Sequence, residues 1–408
     1  MQHSLTGWIN NRYYKTVNSI AFYPALIALA FLLLAYGAVI FDFSDTGKNI
    51  KEAAGWLSLR DASTARTISS AIVSGIISLT VFSFSMVMIV LNQTASQMSN
   101  RILDKLIGNR FQQIILGIYI GTIVFALYLI STIRDVDSGV HIPALSTYLL
   151  ILLTILDIFL FIYFLHYITQ SVKYETIINS IYKQTLAVMT SSCTLQEEQT
   201  IEDKLPGIFF IHTKTAGIYK GFNKQAILRI CNDHDCTIHI LWPTGSFVLK
   251  DIPVVQVSRQ LKDDDAKELA TALFIDENNE TIENNFLYGF RQLMEVAIKA
   301  LSPGINDPGT AVESLRALAK LFAFHAFNYP AKIITNDMNR VVIITTERSF
   351  EEIFERSIMP IWDYGKKDRM IRRELKEILT QLRSIKHLPI VEKLFAMVTS
   401  TSDFNNNL

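Results

Sequence analysis

Four long apolar runs occupy the first part of the chain, about Ile20 to Ile40, Ile68 to Leu91, Ile114 to Ile133 and Ile142 to Ile168. As helices, each is long enough to cross a hydrocarbon core of about 30 Å. No other feature constrains the fold as strongly, because lipid offers backbone N–H and C=O groups no partner outside the helix itself. The runs predict an α-helical transmembrane bundle of four spans within residues 1–173. Composition agrees: half of the residues are hydrophobic and 19% are charged, and the apolar ones gather before residue 170.

The second run does not stop at the membrane edge. Beyond Leu91 it continues from Asn92 to Ile107 with no Pro or Gly to break a helix. At 100° per residue, Ser70, Ser74, Ser78, Ser85, Asn92, Ser96 and Ser99 share one arc of about 80°. Leu103 and Leu106 fall on the same arc, whereas Arg101, Asp104 and Lys105 point away from it. Two readings stand for this stripe. Hydroxyls can line a pore and replace water around a solute, or small residues at four-residue spacing can pack helices closely. Both hold if the packed face lies between subunits around an axis.

The first run follows Arg12 and Lys15 with Trp8, Tyr13 and Tyr14, aromatics suited to a membrane interface. It exceeds the apolar core of a secretory signal and is expected to be a retained span. Between the first two spans, Ile50 to Leu59 reads as a short interfacial helix or a plain loop. Four spans place both termini on one side. Arg12, Lys15, Arg101, Lys105, Arg110, Lys173 and Lys183 outweigh the more diluted Lys48, Lys51, Arg60, Arg66 and Arg134 opposite them, which favours cytoplasmic termini.

Within the spans, Gly117 and Gly121 form a Gly-x-x-x-Gly packing face. Asp157 stands in the middle of the fourth run, where an acid costs about 2.5 to 3.5 kcal/mol by insertion scales. It is expected to face the bundle and meet a serine, Thr154 or a bound cation. Its role is either an ion site or relay, or a structural hydrogen bond or a neutral protonated acid. His166 is placed near the interface.

From Tyr174 the chain reads as an α+β cytoplasmic domain, large enough to bury its own core. A helical stalk is expected over 174–206, a small α+β lobe over 207–260 and a mainly helical lobe with a short strand pair over 261–408. Strand-like runs are Ile208 to Ile211, Gly217 to Phe222, Cys236 to Leu241, Ser246 to Leu249 and Ile252 to Val257, with a turn at Pro243-Thr-Gly245. Helices are expected at Lys224 to Ile230, Ala266 to Phe274, Phe286 to Leu301, Ala311 to Phe322 and from Phe350 to Met397.

The loop Ala300-Leu-Ser-Pro-Gly-Ile-Asn-Asp-Pro-Gly-Thr-Ala311, together with Val81 to Met88 and Phe286 to Leu293, resembles the bacterial predicted membrane protein family known as domain of unknown function 2254. The resemblance covers nearly the whole chain. It implies an inner-membrane protein with an amino-terminal helix bundle and a carboxy-terminal cytoplasmic portion, and it brings no particular activity with it. Two sites depart from the family's pattern. Asn284 and Asn285 stand where an acidic residue is usual, and Asp251 stands where a turn glycine is common.

Ser302, Gly304, Asn306, Asp307, Gly309 and Thr310 admit two readings. In one, Asp307 caps the next helix with Pro308 at its first position, or Thr310 and Glu313 form a capping box. In the other, Gly304, Asn306 and Gly309 expose amides at a helix start, where an anion can bind. Cys231-Asn-Asp-His-Asp-Cys236 has zinc-ligand residue types but lacks a fourth ligand and a known spacing, so no metal is expected. No catalytic or nucleotide motif is present, no residue is assigned a catalytic role, and no cofactor is expected. Three cysteines form no disulfide framework. Lys and Arg, 38 in all, balance 38 Asp and Glu, so nucleic acid is not expected among the partners. Expected partners are the lipid bilayer, further copies of the chain and a small ligand or ion. The leading expectation is a homo-oligomeric channel or transporter with a regulatory domain; the alternative is a non-conducting sensor or scaffold.

Overall fold

The computed structural model describes residues 21–53, 61–97, 110–133, 142–171, 173–195, 209–276, 281–336 and 340–403. The chain divides into two compact units near Lys173, and each is described by itself.

In the first unit, four helices are long and apolar enough to cross a membrane: α1 (Phe22–Phe43), α3 (Ala62–Gln97), α4 (Arg110–Thr132) and α5 (Ala144–Ser171). The extension of the second span beyond Gln97, including Ser99 and Leu103 to Ile107, lies outside the described residues. A short helix, α2 (Asp45–Ala53), follows α1. It begins earlier than the expected Ile50 to Leu59 segment, whose later part lies outside the described residues.

The third span is the centre of the bundle, since its apolar window is 44% buried against 11–17% for the other three. Its Gly117 and Gly121 explain why. A Cβ on Gly117 would stand 2.7 Å from Ile27 Cδ1 and 3.0 Å from Pro24 Cα, and one on Gly121 would stand 2.6 Å from the Phe31 ring. The two glycines therefore let α4 seat directly on α1. Around this contact the bundle has two apolar layers. One gathers Ala35, Val39, Phe125, Ala126, Leu129 and Leu150; the other gathers Ile76, Ile115, Tyr119, Phe164 and Ile168.

Asp42 ties the end of α1 to two other elements. It is fully buried, pairs with Lys51 Nζ at 2.8 Å and accepts the backbone N–H of Ser146 at 2.7 Å. Lys51 also donates to the Asp42 carbonyl at 2.7 Å. The pair and the extra amide satisfy a charge that would otherwise be costly to bury.

The second unit opens with α6 (Tyr174–Ser192) and β1 (Cys193–Leu195). The expected stalk helix packs along two other helices of this unit, α9 (Phe286–Leu301) and α10 (Pro308–His325), burying Ile177, Ile178, Ile181, Thr185 and Met189. Between α6 and α9 come β2 (Phe209–His212), β3 (Gly217–Phe222), α7 (Lys224–His234), β4 (Ile238–Ile240), β5 (Phe247–Val248), β6 (Pro253–Val257), α8 (Asp263–Ala272) and β7 (Leu273–Asp276). After α10 come β8 (Asn328–Pro330), β9 (Ile333–Thr335), β10 (Val341–Thr345), α11 (Phe350–Gly365), α12 (Arg369–Ile385) and α13 (Pro389–Asp403).

The strands form three sheets, ordered β2-β6-β4-β10-β9, β5-β3-β7 and β1-β8. Within the largest, β10 runs parallel to β4, and every other pair is antiparallel. The expected strand pair thus completes a sheet begun by the small lobe, and β7 joins β3 likewise, so the division at residue 260 does not separate two folding units. Long-range pairing, which local periodicity does not report, decides this. An aromatic core of Phe290, Phe322, Phe350 and Phe354 lies among the helices, with Phe322 centroids 5.0 Å from those of Phe290 and Phe354.

Candidate functional site

The polar groups of the membrane helices fall into two sets on opposite sides of α3. Ser70, Ser74, Ser78, Ser85 and Asn92 are all exposed, whereas Ala65, Ser69, Ile76 and Ser83 are buried. At 100° per residue the two sets lie about 170° apart. The predicted stripe therefore faces away from the interior of this bundle. Ser74 Oγ donates to Ser70 O at 3.0 Å and Ser78 Oγ donates to Ser74 O at 2.9 Å, so these hydroxyls are satisfied on their own helix. Gly75, between the two sets, is also exposed, and nothing stands within 4 Å of a Cβ placed on it.

The inward set is different in kind. Asp157, near the middle of α5, is fully buried, and neither carboxylate oxygen meets a hydrogen-bond partner. Thr122 of α4 lies beside it, and Tyr119, one turn earlier on α4, lies beside Ser83 of α3 and within electrostatic reach of Asp157. The Ser83, Thr122 and Tyr119 hydroxyls are likewise buried without a bond of hydrogen-bond geometry. Such groups are rare where no water reaches, because each costs its desolvation. A cavity of about 170 Å³ is lined by Gln112, Gln113, Ser83 and Tyr119 among mostly apolar side chains such as Val87, Leu91, Ile115 and Phe164; Thr122 and Asp157 are not part of its wall. Past Thr122, Phe125, Ala126 and Leu129 close against Ala35 and Leu150. Ser83 and Tyr119 stand on the other side of this layer, among the apolar side chains of the second one.

The sequence placed Asp157 in the interior and missed its companions. Its expected neighbour Thr154 instead bonds back to Leu150 O at 2.8 Å. Ser83 sits two residues from the predicted stripe and about 160° round the helix from Ser85, so a reading by residue type passed over it. Tyr119 lies between Gly117 and Gly121, whose spacing reports packing alone.

In the second unit, the 302–310 loop joins α9 to α10. Ser302 ends α9, with its hydroxyl on Lys299 O at 2.7 Å. Asp307 caps α10, accepting Thr310 N at 3.1 Å and Thr310 Oγ1 at 2.6 Å, with Pro308 in the first turn. The amides of Ile305, Asn306 and Asp307 are taken by Ser302 O, Ser302 O and Ala300 O. Asn306 has φ of 49°, a left-handed conformation that asparagine tolerates. These bonds build a helix-to-helix corner, and the amides of this turn point into it. Asp251, where a glycine is usual, has φ of 64°, and Asn285 caps α9 by accepting Leu287 N at 3.0 Å. Cys231 and Cys236 are buried free thiols, while His234 turns to Asp265 at 3.0 Å. Among the described residues no group of three His, Cys, Asp or Glu side chains is placed to hold a metal ion.

A family model described as "Predicted membrane protein (DUF2254)" matches residues 17–381 of the chain. Uncharacterized proteins of Mycobacterium bovis and Mycobacterium tuberculosis are each 21% identical over 311 residues, covering 73% of this chain and 59% of the relative. The chain thus spans about three-fifths of the length of the curated relatives it matches. No solved structure matches it.

Proposed function

The chain belongs to the predicted membrane protein family DUF2254, and from that premise we propose a homo-oligomeric transporter in which Asp157 carries a proton or small cation. The carrying observation is the Asp157 carboxyl, fully buried near mid-span with both oxygens unbonded. An acid kept there without a structural partner must be protonated or meet a cation. Thr122 lies beside it and Tyr119 within its electrostatic reach, and Tyr119 with Ser83 and Gln113 also lines the 170 Å³ cavity. The closed apolar layer past Thr122 favours access from one face at a time over an open pore.

The exposed small-residue face of α3 supports packing against a second copy, because hydroxyls bonded to their own helix cost little when another helix covers them. The lysine and arginine asymmetry supports an inner membrane with cytoplasmic termini, which makes the second unit a cytoplasmic regulatory domain. A non-conducting anchored sensor is the second reading. It is favoured by the closed packing of Phe125, Ala126 and Leu129.

Purified protein in liposomes, assayed with a pH-sensitive dye and with sodium and potassium gradients, tests the transport reading. Flux is expected from the native chain and none from Asp157→Asn. A well-folded oligomer without flux under any of the three gradients would overturn it in favour of the sensor. Disulfide trapping tests the packing: Ser74→Cys should cross-link between copies and Ser83→Cys should not. The native Cys193, Cys231 and Cys236 are buried and give little background.

A further inference from the structure

The second unit contains a cavity of about 290 Å³ whose charged residues are all arginines. Arg291 enters from α9, Arg356 from α11, and Arg348 from the segment just ahead of α11, while no Asp or Glu lines the space. The fold gathers three segments distant in sequence to make it. The Pro243-Thr-Gly245 turn closes one side, held by Gly245 N donating to Tyr219 O at 2.8 Å, with Gly245 at φ of 83°. Residues from the amino-terminal halves of α9 and α11 form the other side.

Arg291 and Arg356 keep donors outside the contacts of the fold. Arg291 bonds Glu295 on its own helix through Nε at 3.0 Å, which leaves both terminal nitrogens outside that bond. Arg348 donates to Ser246 Oγ at 3.3 Å, a contact that holds it at the cavity wall. Arg356 makes no hydrogen bond or ion pair among the described residues. The usual reading of surface arginines is a solvated face. It does not account for three of them turned into one concave site beside the buried Ser357 hydroxyl and the Thr244 side chain. Arginine forks match phosphate oxygens in geometry as well as in charge.

Part of the cavity is apolar, with Leu287, Met294 and Ile353 in its wall. A bare anion would leave that surface unused. The volume lies at the lower end of small-molecule pockets and suits one compact molecule rather than a polymer. We propose that this cavity binds a small phosphorylated molecule, with Arg291, Arg348 and Arg356 holding the phosphate and the Leu287, Met294 and Ile353 wall receiving its less polar body. All of these residues belong to the second unit, so the site stands whether or not the membrane helices conduct. A nucleotide and a phospholipid headgroup share this chemistry.

Calorimetric titration of the full chain in a non-ionic detergent tests the site with three probes: inorganic pyrophosphate, ATP and monomeric dihexanoyl phosphatidic acid. At least one is expected to bind, more weakly as salt rises. Arg356→Gln should weaken binding at least tenfold, and Arg291→Gln with Arg356→Gln should abolish it. Arg373→Gln, on an exposed arginine of α12 paired with Glu377, should change nothing. Preference for ATP identifies a nucleotide-type ligand, preference for the phosphatidic acid identifies a headgroup, and equal binding of all three identifies recognition of phosphate alone. Should the double variant fail to fold, Arg356→Glu decides alone, because Arg356 is exposed and unpartnered. Absence of binding by all three probes, or binding that survives these substitutions, overturns the proposal. Flux through the bundle is read separately, so the two proposals fail independently.

Discussion

Replacing Asp157 by alanine separates a transport residue from a structural one. Asp157 lies about 20 Å from either end of α5 at 1.5 Å per residue, which places it near the membrane midplane. An acid at that depth costs about 2.5 to 3.5 kcal/mol on insertion scales. A structural acid would recover this through hydrogen bonds, each worth about 1 kcal/mol net, yet neither Asp157 oxygen makes one. Asp157→Ala should therefore stabilise the bundle by about 1 to 2 kcal/mol, the relieved burial cost of the acid exceeding the cost of the small cavity left behind. Unfolding by titration with dodecyl sulfate in mixed micelles reads this as a higher midpoint. Proteoliposome flux should fall to background in the same variant. Asp157→Asn keeps the volume and should also lose flux, with a smaller gain in stability. If Asp157→Ala instead lowers stability by 1 kcal/mol or more, the carboxyl is holding helices together. The reasoning from its unbonded oxygens then fails.

Gly289→Ala should destabilise the second unit by about 1 to 3 kcal/mol through overpacking, since its Cβ would stand 1.8 Å from Thr185 Oγ1 and 2.8 Å from Thr185 Cβ. Thr185→Ala in the same chain should restore most of the loss, and a double-mutant cycle of melting curves measures the coupling. Lys51→Met leaves Asp42 buried with only the Ser146 amide, and a broken buried pair costs about 3 to 5 kcal/mol. Thermal unfolding in detergent should show the drop, with partial recovery in Lys51→Met with Asp42→Asn. The pH dependence of second-unit stability should be flat between about 4.5 and 6.5, because two buried groups oppose each other there. Burial pushes His325 down to about 4 from 6.5, so its contribution is present above 6.5 and is lost as pH falls to 4. Burial, partly offset by Thr345, pushes Glu347 up to about 7 from 4.5, so its contribution is present below 4.5 and is lost as pH rises through 7. Each is worth at most about 3 kcal/mol, less for Glu347, which is partly exposed. Urea midpoints against pH should fall from 4.5 to 7 in His325→Gln and rise from 4 to 6.5 in Glu347→Gln.

What the sequence made legible is what period and local chemistry encode. The helix Phe286–Leu301 has its expected bounds because Phe286, Phe290, Leu293 and Ala297 recur on one face. The spans were legible because length and apolarity alone decide them. At the start of α10 the sequence left two caps open. The structure takes Asp307, since Pro308 lacks an N–H and fits the first turn. What stayed hidden is whatever depends on distant partners. Nothing local to Asp42 announces that Lys51 and the Ser146 amide meet it. The parallel pairing of β10 with β4 joins segments a hundred residues apart. Arg291, Arg348 and Arg356 are unremarkable one at a time, and only tertiary packing puts them around one cavity.

The serines of α3 show how the same residue type carries two roles on one helix. Ser74 and Ser78 lie on the outer face and bond back to carbonyls four residues earlier. Such hydroxyls ask nothing of their surroundings, so the outer stripe requires neither water nor a pore, and small size remains its useful property. Ser69 and Ser83 lie on the inner face and find no bond within the helix or across it. They therefore do depend on what enters the bundle. A solute path argued from the outer stripe would need an axis between copies, whereas one argued from Ser83, Tyr119, Thr122 and Asp157 needs only the interior of a single chain. The unbonded groups lie inside, and there the chemistry of transport has acceptors to offer. The outer face then serves to bring copies of α3 together, which fixes the position of the helix that forms one wall of the 170 Å³ cavity.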